Sequence, residues 1–442
     1  MFRHAQAAPA RELSSYCAES IQHATQVGST AAGSAVLSVV FWSIVLNGTI
    51  FFGHSEDTKD TMQFNLTAVF TAALAACSAA PSVQAQDVIR IGHVAATSGA
   101  IAHLGKDNEN GARMAVDELN AKGVLIGGKR YRVVLQAEDD AADPKQGTAV
   151  AQKLVDAKMH GVIGHETSGT TIPASRIYFA AGIPQISPSA SNPKYTRQGF
   201  NTAFRNVAND EQLGAALARY AIQNGKAKRI AVIDDRTAYG KGLSDEFIKN
   251  VKKAGTATIV SQQYTTDKAS EFSAILTAIK AAKPDLVFFG GMDAVAGPML
   301  QQMKRLGINA GFMGGDGLCS DSMARLSGNA MADGQVICAE AGGVEPQQQK
   351  GMDDFRLAYR RKFGIDVLTY APYTYDALLT MVTAMQQAGS PEPATYLPVL
   401  AKIRHQGVTG TVAFDARGDV QDGMLTIYTF KGGKRQRVTV MK

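Results

Sequence analysis

A short stretch of small and hydroxyl-bearing residues is the first candidate for chemistry in this sequence. An apolar run ends in glycine, and hydroxyl groups follow at Ser168, Thr170 and Thr171. Pro173 comes next, ahead of residues with helical apolar spacing, so the pattern predicts a strand, a polar turn and a helix that Pro173 opens. N–H groups at a helix start, with hydroxyls beside them, can bind a carboxylate or a phosphate. The stretch therefore indicates an anion site, and an ordinary Ser/Thr cap is the alternative.

Three further polar clusters follow predicted strands. Ser189 and Ser191 follow one strand, Tyr239 lies in the turn after a second, and Asp316 lies in a glycine-rich turn after a third. For each cluster alone, a simple turn role is the alternative. Open α/β sheets bind ligands at the carboxyl ends of their strands, so the clusters together predict two facing edges. One edge is rich in hydroxyls and the other offers a carboxylate, and a zwitterionic amino acid would fit between them.

The elements that must position these residues alternate along the chain. From Asp87 onward, short β-rich runs alternate with amphipathic helical segments, first up to about Asn206 and then again beyond it. This rhythm predicts two α/β units with parallel sheets covered by helices on both faces. Beyond Gly342 the pattern is helical, including a helix expected at 395–405. These late helices need a sheet to pack on, and we expect it to be that of the first unit.

The N-terminal region differs in kind from the rest. Residues 1–61 form an extension in which 31–52 is almost wholly apolar and long enough to span a bilayer. Residues 62–85 resemble a signal peptide, with an apolar core and an A-x-A-like end, which predicts a periplasmic protein. Two alternatives remain: a lipoprotein attached through Cys77, or a membrane anchor formed by 31–52. Our hypothesis is that translation starts at Met62, so that the extension is not in the working protein.

Charge and cysteine usage narrow the class of protein. The net charge is +6, and Lys and Arg occur in no run longer than three, so the sequence does not indicate a nucleic-acid partner. Beyond the signal peptide only Cys319 and Cys338 remain. An even pair in an exported protein predicts one disulfide, and two buried free thiols are the alternative.

Signatures of catalysis are scarce. The sequence has no G-x-G-x-x-G between its first strand and helix, no P-loop, no H-E-x-x-H and no G-x-S-x-G motif. Its histidines lack the spacing of metal ligands. We therefore expect a protein that is not an enzyme and that uses no cofactor or metal.

A set of short motifs runs in order from Asp87 onward and carries a resemblance to a known family. They are Thr-Ser-Gly at 97–99, Asp-Asp-Ala-Ala-Asp-Pro-Lys-Gln at 139–146, Val-Ile-Gly-His at 162–165, Ser-Pro at 187–188, Tyr-Gly-Lys-Gly at 239–242, Phe-Met-Gly at 312–314 and Phe-Asp at 414–415. Through these motifs the sequence resembles the periplasmic leucine/isoleucine/valine-binding protein family. Members of that family are the substrate-binding components of branched-chain amino-acid ABC importers.

The resemblance implies an α/β fold of the type I periplasmic binding protein class. Two doubly wound parallel-sheet lobes would be joined by three crossovers at a hinge, near Asn206, Gly342 and Thr426. The first lobe would comprise 86–206 plus 342–425, and the second 207–341 plus 426–442.

The resemblance also implies roles for individual residues. Ser168 matches the serine that binds the ligand carboxylate, and Ser189 and Ser191 match a second loop that holds carboxylate and ammonium. Tyr239 matches a tyrosine that closes over the ligand from the other lobe, and Asp316 occupies the acidic position that pairs with the ammonium. Further lining positions that the resemblance implies are Leu104, Ala190, Met292 and Tyr370.

Two departures from the family pattern bear on the ligand. The best-known members have a disulfide between the positions of Ala142 and Thr167, so Cys319 and Cys338 would supply a different link. Glu166 occupies a pocket-lining position that is apolar in branched-chain binders. A buried unpaired carboxylate is costly, so Glu166 must point away or meet a polar or cationic ligand group.

The function that the resemblance implies is binding by hinge closure rather than catalysis. We expect an extracytoplasmic, monomeric substrate-binding component of an ABC importer for branched-chain or related amino acids, whose partners are the amino acid and an inner-membrane permease. A ligand-sensing receptor on the same fold, including a form tethered through 31–52, is the alternative. An enzyme is a more distant third reading.

Overall fold

The computed structural model describes residues 87–344 and 348–441. The expected N-terminal extension, its apolar stretch, the signal peptide and Cys77 lie outside the described residues. Within the described ranges, no helix combines the length and the apolar character needed to cross a bilayer.

The first sheet is built from strands that all precede residue 206. They are β1 (Asp87–Ala95), β2 (Val124–Ile126), β3 (Lys129–Asp139), β4 (Gly161–Gly164), β5 (Gln185–Ser187) and β6 (Ala203–Arg205). Their order across the sheet is β2-β3-β1-β4-β5-β6. All neighbours are parallel except β2, which pairs antiparallel with β3 at the edge. The central strand β4 is buried along its whole length, as expected for a parallel strand covered on both faces.

The later strands form a second sheet and a small hairpin. They are β7 (Arg229–Asp234), β8 (Thr258–Tyr264), β9 (Leu286–Gly290), β10 (Gly311–Gly314), β11 (Val336–Glu340), β12 (Arg404–Gly407), β13 (Gly410–Ala413), β14 (Leu425–Lys431) and β15 (Lys434–Met441). The second sheet has the order β15-β14-β11-β10-β9-β7-β8, and β12 and β13 pair only with each other. Within it, β14 runs antiparallel to both β11 and β15.

Helices follow most of the strands, and local signals explain their ends. They are α1 (Ala102–Lys122), α2 (Pro144–Asp156), α3 (Ser168–Ala180), α4 (Asp210–Gln223), α5 (Ala238–Ala254), α6 (Ser273–Ala282), α7 (Asp293–Arg305), α8 (Ser322–Ser327), α9 (Gln349–Phe363), α10 (Ala371–Ala388) and α11 (Pro393–Leu400). A capping box of Asn209 and Gln212 begins α4, and Gly255 ends α5 in the left-handed conformation.

Two expectations about helix bounds are wrong. Helix α3 begins at Ser168, not at Pro173, because Thr167 already has the extended conformation of an N-cap, only three residues after β4 ends at Gly164. Pro173 lies inside this helix. The helix expected at 395–405 ends at Leu400, because Arg404 already pairs with Ala413 in the β12–β13 hairpin.

The apolar cores divide the described chain into two lobes. Residues of the first sheet pack with α1, α9, α10 and α11 in one core, which confirms that the late helices cover the first sheet. A further cluster packs α2 and α3 on the same sheet. The two other large cores lie on the second sheet, with α4 and α5 in one and α6 and α7 in the other. We call the first sheet with its helices the first lobe, and the second sheet with α4–α8 the second lobe.

The chain passes between the lobes three times. The crossings lie between β6 and α4, between β11 and α9, and between β13 and β14. The expected architecture, two doubly wound α/β lobes joined by three crossovers, is therefore confirmed.

Candidate ligand-binding site

A small enclosed cavity lies between the two lobes, where strand ends of both sheets face each other. Its volume is about 10 Å³, enough for about one water molecule. Strand-to-helix turns of both lobes contribute to its walls, as the edge rule for α/β sheets predicts. The lining residues are Glu166, Thr167, Ser168, Ser189, Tyr239, Met292, Asp316 and Tyr370.

The first lobe presents a helix start to this cavity. Ser168 is the first residue of α3, and the side chain of its N-cap, Thr167, makes no capping hydrogen bond to the described residues. The hydroxyls of Thr170 and Thr171 donate to the Thr167 carbonyl instead, at 3.2 and 2.8 Å. The hydroxyl cluster is thus not an ordinary Ser/Thr cap. The positive end of the α3 dipole faces the cavity without a side-chain acceptor of its own.

The loop after β5 packs directly on this helix start. The Ser189 hydroxyl donates to the carbonyl of Glu166 at 2.8 Å, and the Asn192 N–H donates to the Ser168 hydroxyl at 3.2 Å. The two predicted polar clusters of the first lobe are therefore joined by hydrogen bonds. This fixes Ser168 and Ser189 on one wall of the cavity.

A buried arginine supports that loop from behind. Arg205 is fully buried, and its guanidinium donates to the carbonyls of Ala190 and Asn192 at 2.9 Å each. It also pairs with the carboxylate of Asp419. Burial would raise the pKa of Asp419, but the charge and hydrogen bonds of Arg205, together with the hydrogen bonds of Thr196 and Asn209, outweigh burial and lower it. Arg205 therefore shapes the loop without lining the cavity.

The second lobe contributes a carboxylate. Asp316 begins a short 3₁₀ turn, Asp316–Leu318, directly after β10. The Tyr239 hydroxyl donates to Oδ1 of Asp316 at 2.8 Å, and Tyr370 donates to Oδ2 at 3.0 Å. Burial raises the pKa of Asp316 to about 6, although both hydroxyls lower it. Burial, together with the charge of Asp316, also raises the pKa of both tyrosines well above the usual 10.

A second carboxyl group lies in the same cavity. Glu166 is only 3% exposed, and its Oε2 accepts a hydrogen bond from the N–H of Ala96 at 2.9 Å. Burial raises the pKa of Glu166 well above its usual range. The Ala96 N–H lowers this pKa, whereas the carboxylates of Asp140, Asp107 and Asp293 raise it further. The side chain therefore does not point away from the cavity into solvent.

Three residues expected at the site do not line the cavity. Leu104 is fully buried in an apolar cluster that also contains Tyr370, and Ala190 is buried with its carbonyl bonded to Arg205. Ser191 is fully buried near Asp210, at the start of α4. These three residues are buried outside the cavity lining, whereas Met292 and Tyr370 are part of it.

The two late cysteines form a disulfide bond, as the cysteine count predicts. Its S–S distance is 2.03 Å, and it links Cys319, just after the 3₁₀ turn, to Cys338 in β11. The hydroxyl of Thr369 in the first lobe donates to the carbonyl of Cys319 at 3.0 Å. The disulfide thus anchors the turn that carries Asp316.

Contacts across the cleft were not visible in the sequence. His103 Nε2 at the start of α1 lies 2.8 Å from Asp293 Oδ2 at the start of α7. The amide of Asn192 donates to the carbonyl of Ala238 at 2.6 Å. No local pattern encodes these two pairings, because the partners are far apart in the chain.

Thr167 also lines the cavity. The sequence pattern does not single it out, although it lies within the motif that points to Ser168.

Comparison with known proteins identifies the family. The family model described as "Periplasmic binding protein" matches residues 88–434. The chain belongs to this family. By its name, the family is one of binding proteins rather than enzymes. The Leu/Ile/Val-binding relatives and the solved structures confirm the expected resemblance and the type I periplasmic binding protein fold.

Relatives of this periplasmic binding protein cover most of its length. "Leu/Ile/Val-binding protein homolog 1" of Brucella abortus (strain 2308) is 34% identical over 337 residues, 76% of this chain and 88% of the relative. "Leu/Ile/Val-binding protein BraC3" of Rhizobium johnstonii is 34% identical over 371 residues, 84% of this chain and 97% of the relative.

Solved structures show the same fold. The branched-chain amino acid transporter substrate-binding protein LivJ of Streptococcus pneumoniae, in complex with isoleucine, has a TM-score of 0.72 and 27% identity, covering 80% of this chain and 99% of that one. The leucine-binding protein LivK of Thermotoga maritima also has a TM-score of 0.72, with 23% identity and coverage of 80% and 98%.

Proposed function

We propose that this protein is the extracytoplasmic substrate-binding component of an ABC importer for branched-chain or related amino acids. One observation carries the proposal: a single cavity joins the start of α3, at Ser168, to the carboxylate of Asp316 on the opposite lobe. An amino acid has one negative and one positive group that match these two features. The names of the Brucella and Rhizobium relatives support this ligand class.

The first lobe would receive the ligand carboxylate. The Ser168 hydroxyl and the N–H groups of the first turn of α3 offer donors at the positive end of a helix dipole. Ser189 adds to this wall, and the loop that carries it is held in place by Arg205. Asp316 would then pair with the ligand ammonium from the second lobe through a charge-assisted hydrogen bond, stronger than one between neutral groups.

Binding requires the lobes to part and close again. A cavity of about 10 Å³ cannot hold an amino acid, so the lobes of this closed structure must part at the three crossings and close less tightly around the ligand than they do here. The ligand would dock on the first lobe and gain the contacts of Asp316 and Tyr239 only after closure. These differential contacts stabilise the closed form.

The remaining features of the proposal concern organisation and partners. The lobe bounds are 86–206 plus 342–425 for the first lobe and 207–341 plus 426–442 for the second. The protein is periplasmic and monomeric, and the closed form is recognised by an inner-membrane permease. It performs no catalysis and needs no cofactor.

Isothermal titration calorimetry with a panel of amino acids tests the proposal. We expect Asp316→Ala to weaken the best ligand at least tenfold, about 1.4 kcal/mol, and Ser168→Ala to weaken it as well. Ser175→Ala is the matched control, because the Ser175 hydroxyl lies in the same helix but donates to the Ile172 carbonyl. An unchanged Kd for Asp316→Ala, or a wild-type protein that binds no amino acid, would contradict the proposal.

A further inference from the structure

One buried carboxyl group in the cavity is only half satisfied. Glu166 lines the cavity, and its Oε2 accepts a hydrogen bond from the Ala96 N–H. Its Oε1 is buried and has no hydrogen-bond partner among the described residues. A buried carboxyl oxygen without a partner is unfavourable, because bulk water no longer solvates it. A donor on a bound ligand would remove this penalty.

Among the described residues, no Lys, Arg or His side chain forms an ion pair with Glu166, and its Oε1 has no partner. The charged groups that act most strongly on Glu166 are the carboxylates of Asp140, Asp107 and Asp293. Each of these three carboxylates already forms hydrogen bonds with other groups of the protein. The local field at Glu166 is therefore negative, and it favours a ligand group that is positive or positively polarised.

The ligand ammonium is not the group that Glu166 would receive. In the proposed function the ammonium pairs with Asp316, which closes from the second lobe, so Glu166 is a second acceptor on the first lobe. Of the residues that line the cavity with Glu166, Met292 and Tyr370 present apolar surface. Apolar walls that lead to a buried acceptor suit a side chain with a methylene stem and a polar end.

We propose that the ligand is an amino acid whose side chain ends in a nitrogen that donates a hydrogen bond to Glu166. This inference rests on the proposed function and makes it more specific. The nitrogen can belong to a cation, a guanidinium or an ammonium, or to a neutral amide. A pocket built to hydrogen-bond such a group discriminates strongly against a purely apolar side chain, because the latter leaves Glu166 unpaired.

Calorimetric titrations of arginine, lysine, glutamine and leucine test this inference. We expect the wild-type protein to bind at least one of the three nitrogen-bearing amino acids at least tenfold more tightly than leucine. Glu166→Leu should lower that affinity at least tenfold and should not weaken leucine binding. Asp376→Asn is the matched control, since it removes another buried carboxylate of the first lobe, which holds the hairpin N–H groups of Val408 and Thr409.

A second variant distinguishes a cationic nitrogen from an amide nitrogen, and it changes the shape of the side chain so little that the fold should be kept. Glu166→Gln keeps the side-chain shape but cannot ionise, so it cannot carry a negative charge opposite a ligand cation. If the nitrogen is cationic, this variant should bind arginine or lysine at least tenfold more weakly than wild type does. If the nitrogen belongs to an amide, the loss of glutamine affinity should be smaller. The inference would be overturned, while the proposed function stands, if the wild-type protein bound leucine as tightly as it binds arginine, lysine and glutamine. It would also be overturned if both Glu166 variants kept the wild-type preference among these four amino acids. No binding of any amino acid by the wild-type protein would instead refute the proposed function.

Discussion

The hydroxyl of Tyr370 in the first lobe donates to Oδ2 of Asp316 in the second lobe, at 3.0 Å. The other carboxylate oxygen, Oδ1, accepts from Tyr239 of its own lobe at 2.8 Å. One donor therefore stays with Asp316 when the lobes part, and the other is available only in the closed form. This makes the Tyr370 hydroxyl a contact that stabilises closure specifically.

Removal of that hydroxyl should weaken ligand binding. We expect Tyr370→Phe to raise the Kd of the best amino acid about three- to tenfold, because one hydrogen bond of the closed form, with a net contribution of about 0.5–1.5 kcal/mol, is lost. Calorimetric titration measures this. Tyr396→Phe is the control, since that buried hydroxyl donates to the carbonyl of His160 in the first lobe, outside the cavity. An equal Kd for Tyr370→Phe and wild type would contradict the closure role.

The stability of the ligand-free protein should depend on the protonation of Asp210. Burial raises the pKa of this carboxyl group to about 8. The charges of Asp316 and Glu246 also raise it, whereas the Ser191 hydroxyl and Arg205 lower it. In the unfolded chain an Asp has a pKa of about 3.9. The folded state therefore binds this proton more tightly, and its contribution to stability is complete below about pH 4 and is lost as the pH rises to about 8.

Asp210→Asn should remove this contribution, because an amide does not titrate. We expect the free energy of unfolding of wild type, measured by urea at pH 5, 6, 7 and 8, to fall relative to the variant by up to about 1.4 kcal/mol per pH unit. Asp245→Asn, which removes an exposed carboxylate paired with Lys241, is the control. Parallel pH curves for wild type and Asp210→Asn would show that Asp210 titrates normally.

Much of the site was predictable because it follows from local order in the chain. The alternation of strands and helices places Ser168, Ser189 and Asp316 at strand ends, and strand ends of parallel sheets share one edge. The short strands β5 and β6 are harder, because three residues are too few to show a period. The sequence pattern misplaces the start of α3 at Pro173, because proline is common at the first position of a helix and Thr167 alone does not mark an N-cap.

Long-range pairs could not be predicted. The Ala96 N–H meets Glu166 from 70 residues away, and Arg205 meets Asp419 from 214 residues away. Each contact depends on tertiary packing, which a single sequence does not encode locally. Glu166 was recognised as unusual only because a carboxyl group stood where an apolar side chain was expected.

Loss of the buried arginine should destabilise the fold. Arg205→Ala would leave the Asp419 carboxylate without its main partner, and breaking a buried ion pair in this way costs about 3–5 kcal/mol. Urea unfolding at pH 7 measures the loss. Arg197→Ala is the control, because the Arg197–Glu211 pair is partly exposed and should contribute about 1 kcal/mol or less. Similar losses for the two variants would mean that the Arg205 pair is not effectively buried.

The disulfide should stabilise both the second lobe and the turn that carries Asp316. Cys319 and Cys338 are separated by 19 positions, and a loop of this length is expected to contribute about 3 kcal/mol by restricting the unfolded chain. The double variant Cys319→Ala/Cys338→Ala should therefore lower the free energy of unfolding by about that amount and should weaken ligand binding, because Asp316 lies three positions before Cys319. A reducing agent should destabilise wild type by a similar amount and should not affect the double variant. A double variant with the same urea midpoint as wild type would contradict the stabilising role of the disulfide.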